Sequence, residues 1–143
     1  MKTNVVACIF LEVDFENCQF ESVNFNSTVF SQSKSNQCIF SRSNFDSAEI
    51  GRCKFNNCKF IQSRLTNLEI EKVTFDSCQF DEVSFAKSII GKSSFSNTEF
   101  KNLNNTGLCA IIENSKISLN NNQSIILKGI FDFDAVLKFL PSA

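Results

Sequence analysis

The large apolar residues of this 143-residue chain keep a clock of five. Fourteen of its 17 Phe stand at multiples of five from Phe10 to Phe100, and Ile50, Leu65, Ile70 and Ile90 fill the remaining multiples except Ser35. Neither regular element has this period, since an α-helix repeats every 3.6 residues and a flat strand every two. Self-similarity at a fixed spacing marks a repeat architecture.

A second series runs two residues ahead of the first and takes small or medium side chains, among them six of the seven Cys: Cys8, Cys18, Cys38, Cys53, Cys58 and Cys78. Between residues 8 and 100 there are 21 charged residues, and none stands in either series. The unit therefore reads small, polar, large, polar, polar. In a short extended stretch the small and large residues share an inner face. The two outward residues that follow must turn the chain, so repetition winds it into a solenoid with one wall per unit. Four walls give about 20 residues per coil. Phe20, Phe40, Phe60, Phe80 and Phe100 then form one column, Ile50, Ile70 and Ile90 another, and Cys18, Cys38, Cys58 and Cys78 a third. Three walls would scatter the isoleucines and the cysteines, although the Phe columns fit either count.

Val13-Asp14-Phe15-Glu16-Asn17, Val23-Asn24-Phe25-Asn26-Ser27 and Ser43-Asn44-Phe45-Asp46-Ser47 resemble the unit of the pentapeptide repeat family. The resemblance covers about residues 3–102 and, in an altered phase, reaches residue 127. It implies an all-β fold, a right-handed quadrilateral parallel β-helix. Ala at the small position, usual in that family, occurs here only at Ala48, and Asp or Asn is scarce before the large residue after Asn44.

The chain reads as a single domain over residues 1–143. Regular repeats occupy about 3–102, and a phase-shifted last coil occupies about 103–128. There Ile112, Ile117 and Leu127 take the large position and Ala110, Ser115 and Ile125 the small one, after a two-residue insertion near Thr106-Gly107. Asn120-Asn121-Asn122 reads as a polar loop or corner. Residues 131–140 read as a short C-terminal α-helix, with Asp132 as its cap and Pro141 as its stop. Phe133, Val136, Leu137 and Leu140 would cover the open end of the solenoid. Phe131, Ala135 and Phe139 make a second apolar stripe that suggests a homodimer through this element. Ser35 interrupts one inner column and is the expected weak point of the core.

With no His in the chain, Ser-His and Cys-His catalysis and His-based zinc sites are excluded. Neither a glycine-rich phosphate loop nor a pair of carboxylates in a pocket is evident, so the chain reads as a non-enzyme with no cofactor and no metal. A formal charge of −1 argues against direct nucleic-acid binding. No stretch reaches the roughly 18 apolar residues of a membrane span. The apolar run from Val5 to Leu11 meets Glu12 without a cleavage site, so a cytoplasmic protein with reduced thiols is expected. The Cys column reads as filler for a narrow inner row, and Cys109, at the phase break, as the thiol most open to solvent. Lys34, Arg52, Lys54, Lys72 and Lys92 fall along one wall and its corner, while Glu49, Glu69 and Glu71 fall on the preceding wall. The chain thus reads as a non-enzymatic interaction or scaffold module whose basic stripe is a candidate partner surface. The family resemblance also implies an alternative, a DNA-mimic regulator or protector of a type II topoisomerase. The Lys and Arg interrupting its acidic surface count against that.

Overall fold

The computed structural model describes residues 3–103, 111–118, 124–126 and 130–132. Each unit forms one wall of a four-walled coil, and in-register parallel pairing joins residues 20 apart. Face 1 begins with Thr3–Asn4 on Val23–Asn24 and continues as single bridges, Asn24 to Asn44 to Arg64 to Ser84. Face 2 stacks Ile9–Leu11, Val29–Ser31, Glu49–Gly51, Glu69–Glu71, Ile89–Gly91 and Ile111–Glu113. Face 3 stacks Asp14–Glu16, Lys34–Asn36, Lys54–Asn56, Thr74–Asp76, Ser94–Ser96 and Lys116–Ser118. Face 4 stacks Gln19–Glu21, Ile39–Ser41, Lys59–Ile61, Gln79–Asp81 and Glu99–Lys101. No helix stands among the described residues, and none there is long and apolar enough to cross a membrane.

The central residue of each wall points inward. Along face 4 the rings of Phe20, Phe40, Phe60, Phe80 and Phe100 stack nearly parallel, with centroids 4.9 to 5.3 Å apart. Rings on neighbouring walls meet edge to face, as Phe55 and Phe60 do at 5.6 Å. Both are favourable arrangements of ring quadrupoles. Phenylalanine suits this interior because a Tyr or Trp would carry a polar tip into a core with no spare partner. Burial deepens from the first coil inward: Phe10, Phe15 and Phe20 are half-buried, whereas Phe85 and Phe95 are completely enclosed.

The small position is defined by hydrogen bonding as much as by size. Its backbone N–H points inward, and the side chain of the next coil accepts from it: Val23 N–H to Ser43 Oγ at 3.2 Å, Leu68 N–H to Ser88 Oγ at 3.0 Å, Val73 N–H to Ser93 Oγ at 3.1 Å. Ser63 and Ser88 hydroxyls in turn donate to the backbone carbonyls of Phe40 and Leu65 in the coil before. A small polar side chain therefore closes a backbone group that the walls leave open.

The corners require a left-handed backbone. The second outward residue of each unit, from Ala7 and Glu12 to Asn97 and Asn102, has φ between 49° and 63° although none is glycine. A single residue in this region is tolerated at modest cost, least for Asn. Face 1 turns more tightly, since Phe25, Phe45 and Phe85 carbonyls accept from the N–H three residues on. Asn24 and Asn44 side chains reinforce those turns by accepting from the Asn26 and Asp46 N–H groups, the role that Asx residues play in turns.

The insertion expected after residue 102 is present in the register: Ile112 pairs with Ile90 and Ile117 with Phe95, each 22 residues on. Ser115 and Ile117 are buried in the positions the sequence assigns to them. Beyond them two expectations fail. Ser124–Ile126 runs antiparallel to Lys116–Ser118, so Ile125 lies opposite Ile117 instead of opening a further parallel unit. Ile130–Asp132 runs antiparallel to Ile111–Glu113, so Phe131 and Asp132 are strand residues, not the first turn of a helix. The exposed edge of a parallel sheet offers hydrogen-bonding groups that outweigh the local helical spacing. Residues 133–140, Ala135 and Phe139 among them, lie outside the described residues, as do Cys109, Thr106-Gly107 and Asn120-Asn121-Asn122.

Candidate functional site

The 20-residue register brings the five cations singled out by sequence onto one strip. Lys34 and Lys54 are adjacent on face 3, in the row just before the inner Ser35 and Phe55. Arg52, Lys72 and Lys92 are stacked on the corner that leads from face 2 into face 3, all with left-handed φ. All five are exposed. Lys92 Nζ lies 3.7 Å from Glu71 Oε1, and among the described residues Lys34, Arg52, Lys54 and Lys72 make no ion pair. The structure adds Lys116, which pairs with Ser94 and so continues the Lys34–Lys54 row past Thr74 and Ser94. Spacing by 20 misses it because the inserted pair of residues moves it from 114 to 116.

Beside this strip, face 2 carries a shallow groove of about 590 Å³. Its floor is bare at Gly51 and Gly91. A Cβ at either would meet no atom closer than 4.0 Å, so the backbone does not demand glycine there and the missing side chains are what open the groove. Val29 and Ile89 line its ends, and Glu49, Glu69 and Glu71 its middle. Glu49 and Glu69 stand side by side in register, as do Glu71 and Gly51. The result is a row of carboxylates flanked along its full length by the corner cations. Like charges this close in a sheet oppose each other, and the corner cations offset that repulsion, as Lys92 does beside Glu71.

The Cys column holds no such surface. Cys38, Cys53, Cys58 and Cys78 are buried, Cys18 is half-buried and Cys8 is exposed, all as free thiols. Each buried thiol does what a Ser does elsewhere: Cys38 Sγ donates to the Phe15 carbonyl at 3.4 Å, Cys58 to Ser35 at 3.2 Å and Cys78 to Phe55 at 3.2 Å. The column is more than filler, and the hydroxyl-bearing residues at the same repeat position were the sequence signal for it. Burial pushes the Cys38 thiol up to about 11 from 9.0. A thiol raised in the folded state stabilises the fold fully below its unfolded pKa and loses that contribution as pH climbs through the folded one. In reducing buffer, urea unfolding should show stability falling between about pH 9 and 11. Cys38→Ser should reduce that loss without abolishing it, because the Cys53 and Cys78 thiols are raised as well, and an identical decline in the variant would refute the assignment.

The stacked five-residue walls have a counterpart in a known family. A sequence profile described as the pentapeptide repeat region matches residues 28–105, more than half of the chain. The chain belongs to the pentapeptide repeat family. Among curated proteins none matches. Two solved structures of trypsin-treated QnrB1, described as a plasmid-mediated fluoroquinolone resistance protein, share the fold. One has a TM-score of 0.68 at 17% identity over 75% of this chain and 54% of that one. The other has a TM-score of 0.67 at 17% identity over 74% and 54%. This chain thus spans about half the length of the QnrB1 structures it resembles.

Proposed function

We propose that this pentapeptide repeat chain is a non-enzymatic protein-interaction module whose strip of Lys34, Arg52, Lys54, Lys72, Lys92 and Lys116 docks an acidic protein surface. The observation that carries this reading is the in-register row of cations, most of them without an ion pair among the described residues, on a scaffold that holds their spacing rigidly. A solenoid packed with rings has no interior room for a substrate, so its recognition surfaces are its walls and corners. Exposed charges set association rate and specificity more than affinity, and salt screens them. The triple variant Lys54→Glu, Lys72→Glu, Lys92→Glu should lose proteins that the parent captures from native lysate at low salt, and parental capture should fade at high salt. Unchanged capture by the folded triple variant would overturn the proposal.

The fold shared with QnrB1, a fluoroquinolone resistance protein, supports a second reading: protection of a type II topoisomerase by resemblance to DNA. A gyrase supercoiling assay with and without a fluoroquinolone separates the two. Neither inhibition nor drug protection is expected if the basic strip is the working surface, because cations interrupt any duplex-like acidic face.

A further inference from the structure

We infer that the thiol column of Cys18, Cys38, Cys58 and Cys78 is a binding site for a soft monovalent cation, copper(I) in particular, each ion bridging two sulfurs one coil apart. The four residues hold one repeat position at intervals of 20, at the corner between faces 3 and 4. Backbone bonds tie them in register, since the Ile39, Lys59 and Gln79 N–H groups donate to the Cys18, Cys38 and Cys58 carbonyls at 2.9 to 3.0 Å. Their side chains share one orientation. Each of the four Sγ atoms lies 3.4 to 3.5 Å from the carbonyl two residues back, and Cys38, Cys58 and Cys78 Sγ lie 3.2 to 3.4 Å from the carbonyl 23 residues back. Equivalent sulfurs are therefore displaced by one coil, a repeat that measures 4.9 Å where Phe40, Phe60 and Phe80 stack on the adjoining wall. Two metal–thiolate bonds of about 2.3 Å laid end to end span about 4.6 Å. A linear sulfur–metal–sulfur bridge thus fits between neighbouring coils with little movement of either.

The surroundings select the ion. Among the described residues no three metal-ligating side chains come together, so zinc, which takes four ligands in a tetrahedron, finds no full set there. Soft sulfur ligands favour copper(I), which accepts two of them in a line. On binding, one S–H bond breaks, one metal–sulfur bond forms and the proton passes to solvent, while the neighbouring thiol donates a sulfur lone pair. A monovalent ion exchanged for one proton leaves the pair neutral, whereas a divalent ion would leave an unpaired charge beside phenylalanine rings. A disulfide does not compete for these sulfurs, because one coil is too far for a bond of about 2.05 Å, and the described cysteines are all free. Solvent is near the column, since each of its members follows an exposed corner residue, Asn17, Gln37, Asn57 or Ser77. Cys8 and Cys53 have no second sulfur at this spacing: Thr28 neighbours the first, and Ser33 and Val73 the second. The column lies at the other corner of face 3 from Arg52, Lys72 and Lys92, and its test is independent of partner capture.

Copper(I), supplied anaerobically as its acetonitrile complex to the reduced full chain, should give sulfur-to-copper charge-transfer absorption, which no Trp or Tyr of this chain obscures, and should raise Tm. Two double variants that remove equal numbers of thiols separate bridging from capture by single thiols. Cys18→Ser, Cys38→Ser leaves Cys58 and Cys78 one coil apart and should keep tight binding. Cys38→Ser, Cys78→Ser leaves Cys18 and Cys58 two coils apart. Its affinity, read against a competing copper(I) chelator, should fall about a hundredfold, because the gain from a second ligand held in place is lost. Serine already fills this repeat position, buried, at Ser43 and Ser63, so both variants should fold. Should melting show otherwise, the same comparison is made with Val, which is buried at this position as Val73 and Val83. Equal affinity in the two double variants overturns the inference, as do a parent chain that binds no copper(I) and zinc(II) held as tightly as copper(I).

Discussion

Phe60→Ala should lower the free energy of unfolding by about 3–5 kcal/mol, the largest single loss expected from truncating one ring. Phe60 is 1% exposed and stacks on Phe40 and Phe80, each at 4.9 Å. Its ring also meets Phe55 at 5.6 Å and Phe45 at 6.1 Å. Each coil of a solenoid contacts only its neighbours, so a gap here uncouples the coils on either side. Urea unfolding followed by far-ultraviolet circular dichroism provides the measurement. A loss under about 1 kcal/mol would mean that the walls collapse into the gap, contrary to the stiffness expected of hydrogen-bonded corners.

Ser35→Phe should act in the opposite direction and raise stability by about 1–3 kcal/mol. Ser35 is paired in register with Phe15 on one side and Phe55 on the other, and it is 5% exposed. Farther along the same column, Phe55, Phe75 and Phe95 stack at 5.0 and 4.9 Å. A ring at 35 would extend that stack to Phe15 and add edge contacts to face 4, as Phe75 makes with Phe80 at 5.3 Å. Differential scanning calorimetry should show a higher Tm than the parent. A lower one would show that neighbouring rings have already moved into the space, so that the added ring overpacks the column.

The regular coils were legible because the repeat constrains itself. One inner position out of phase by a single residue would turn a Phe outward and a charge inward, and no charge between residues 8 and 100 occupies an inner series. The candidate strip was legible for the same reason, since the period of 20 that stacks Phe20 on Phe40 also stacks Arg52 on Lys72. Lys116 escaped it because a two-residue insertion is visible only once Ile112 is known to pair with Ile90. The groove beside the strip was hidden as well: Gly51 and Gly91 look like ordinary outward residues until their register places them on one floor with Glu69 and Glu71. The thiols of Cys38, Cys58 and Cys78 were placed correctly as inner residues, but their carbonyl partners lie 23 residues back and no local pattern reveals them.

The end of the chain marks where local pattern stops deciding. The sequence alone determined the period, the inward and outward sides and, once four walls are taken, the strip of cations, because each follows from a spacing repeated many times over. Tertiary structure decided the pairing of Ser124–Ile126 and Ile130–Asp132. Phe131 and Asp132 fit the spacing of a short helix, whose isolated stability in water is marginal. The open edge at Ile111–Glu113 offers a ladder of unpaired backbone groups, and Ile130–Asp132 pairs with it. An edge whose central residue, Ile112, lies 19 residues before Phe131 outbids a marginal local preference because the backbone groups of an open edge need partners, and only the folded chain shows which groups remain to pair.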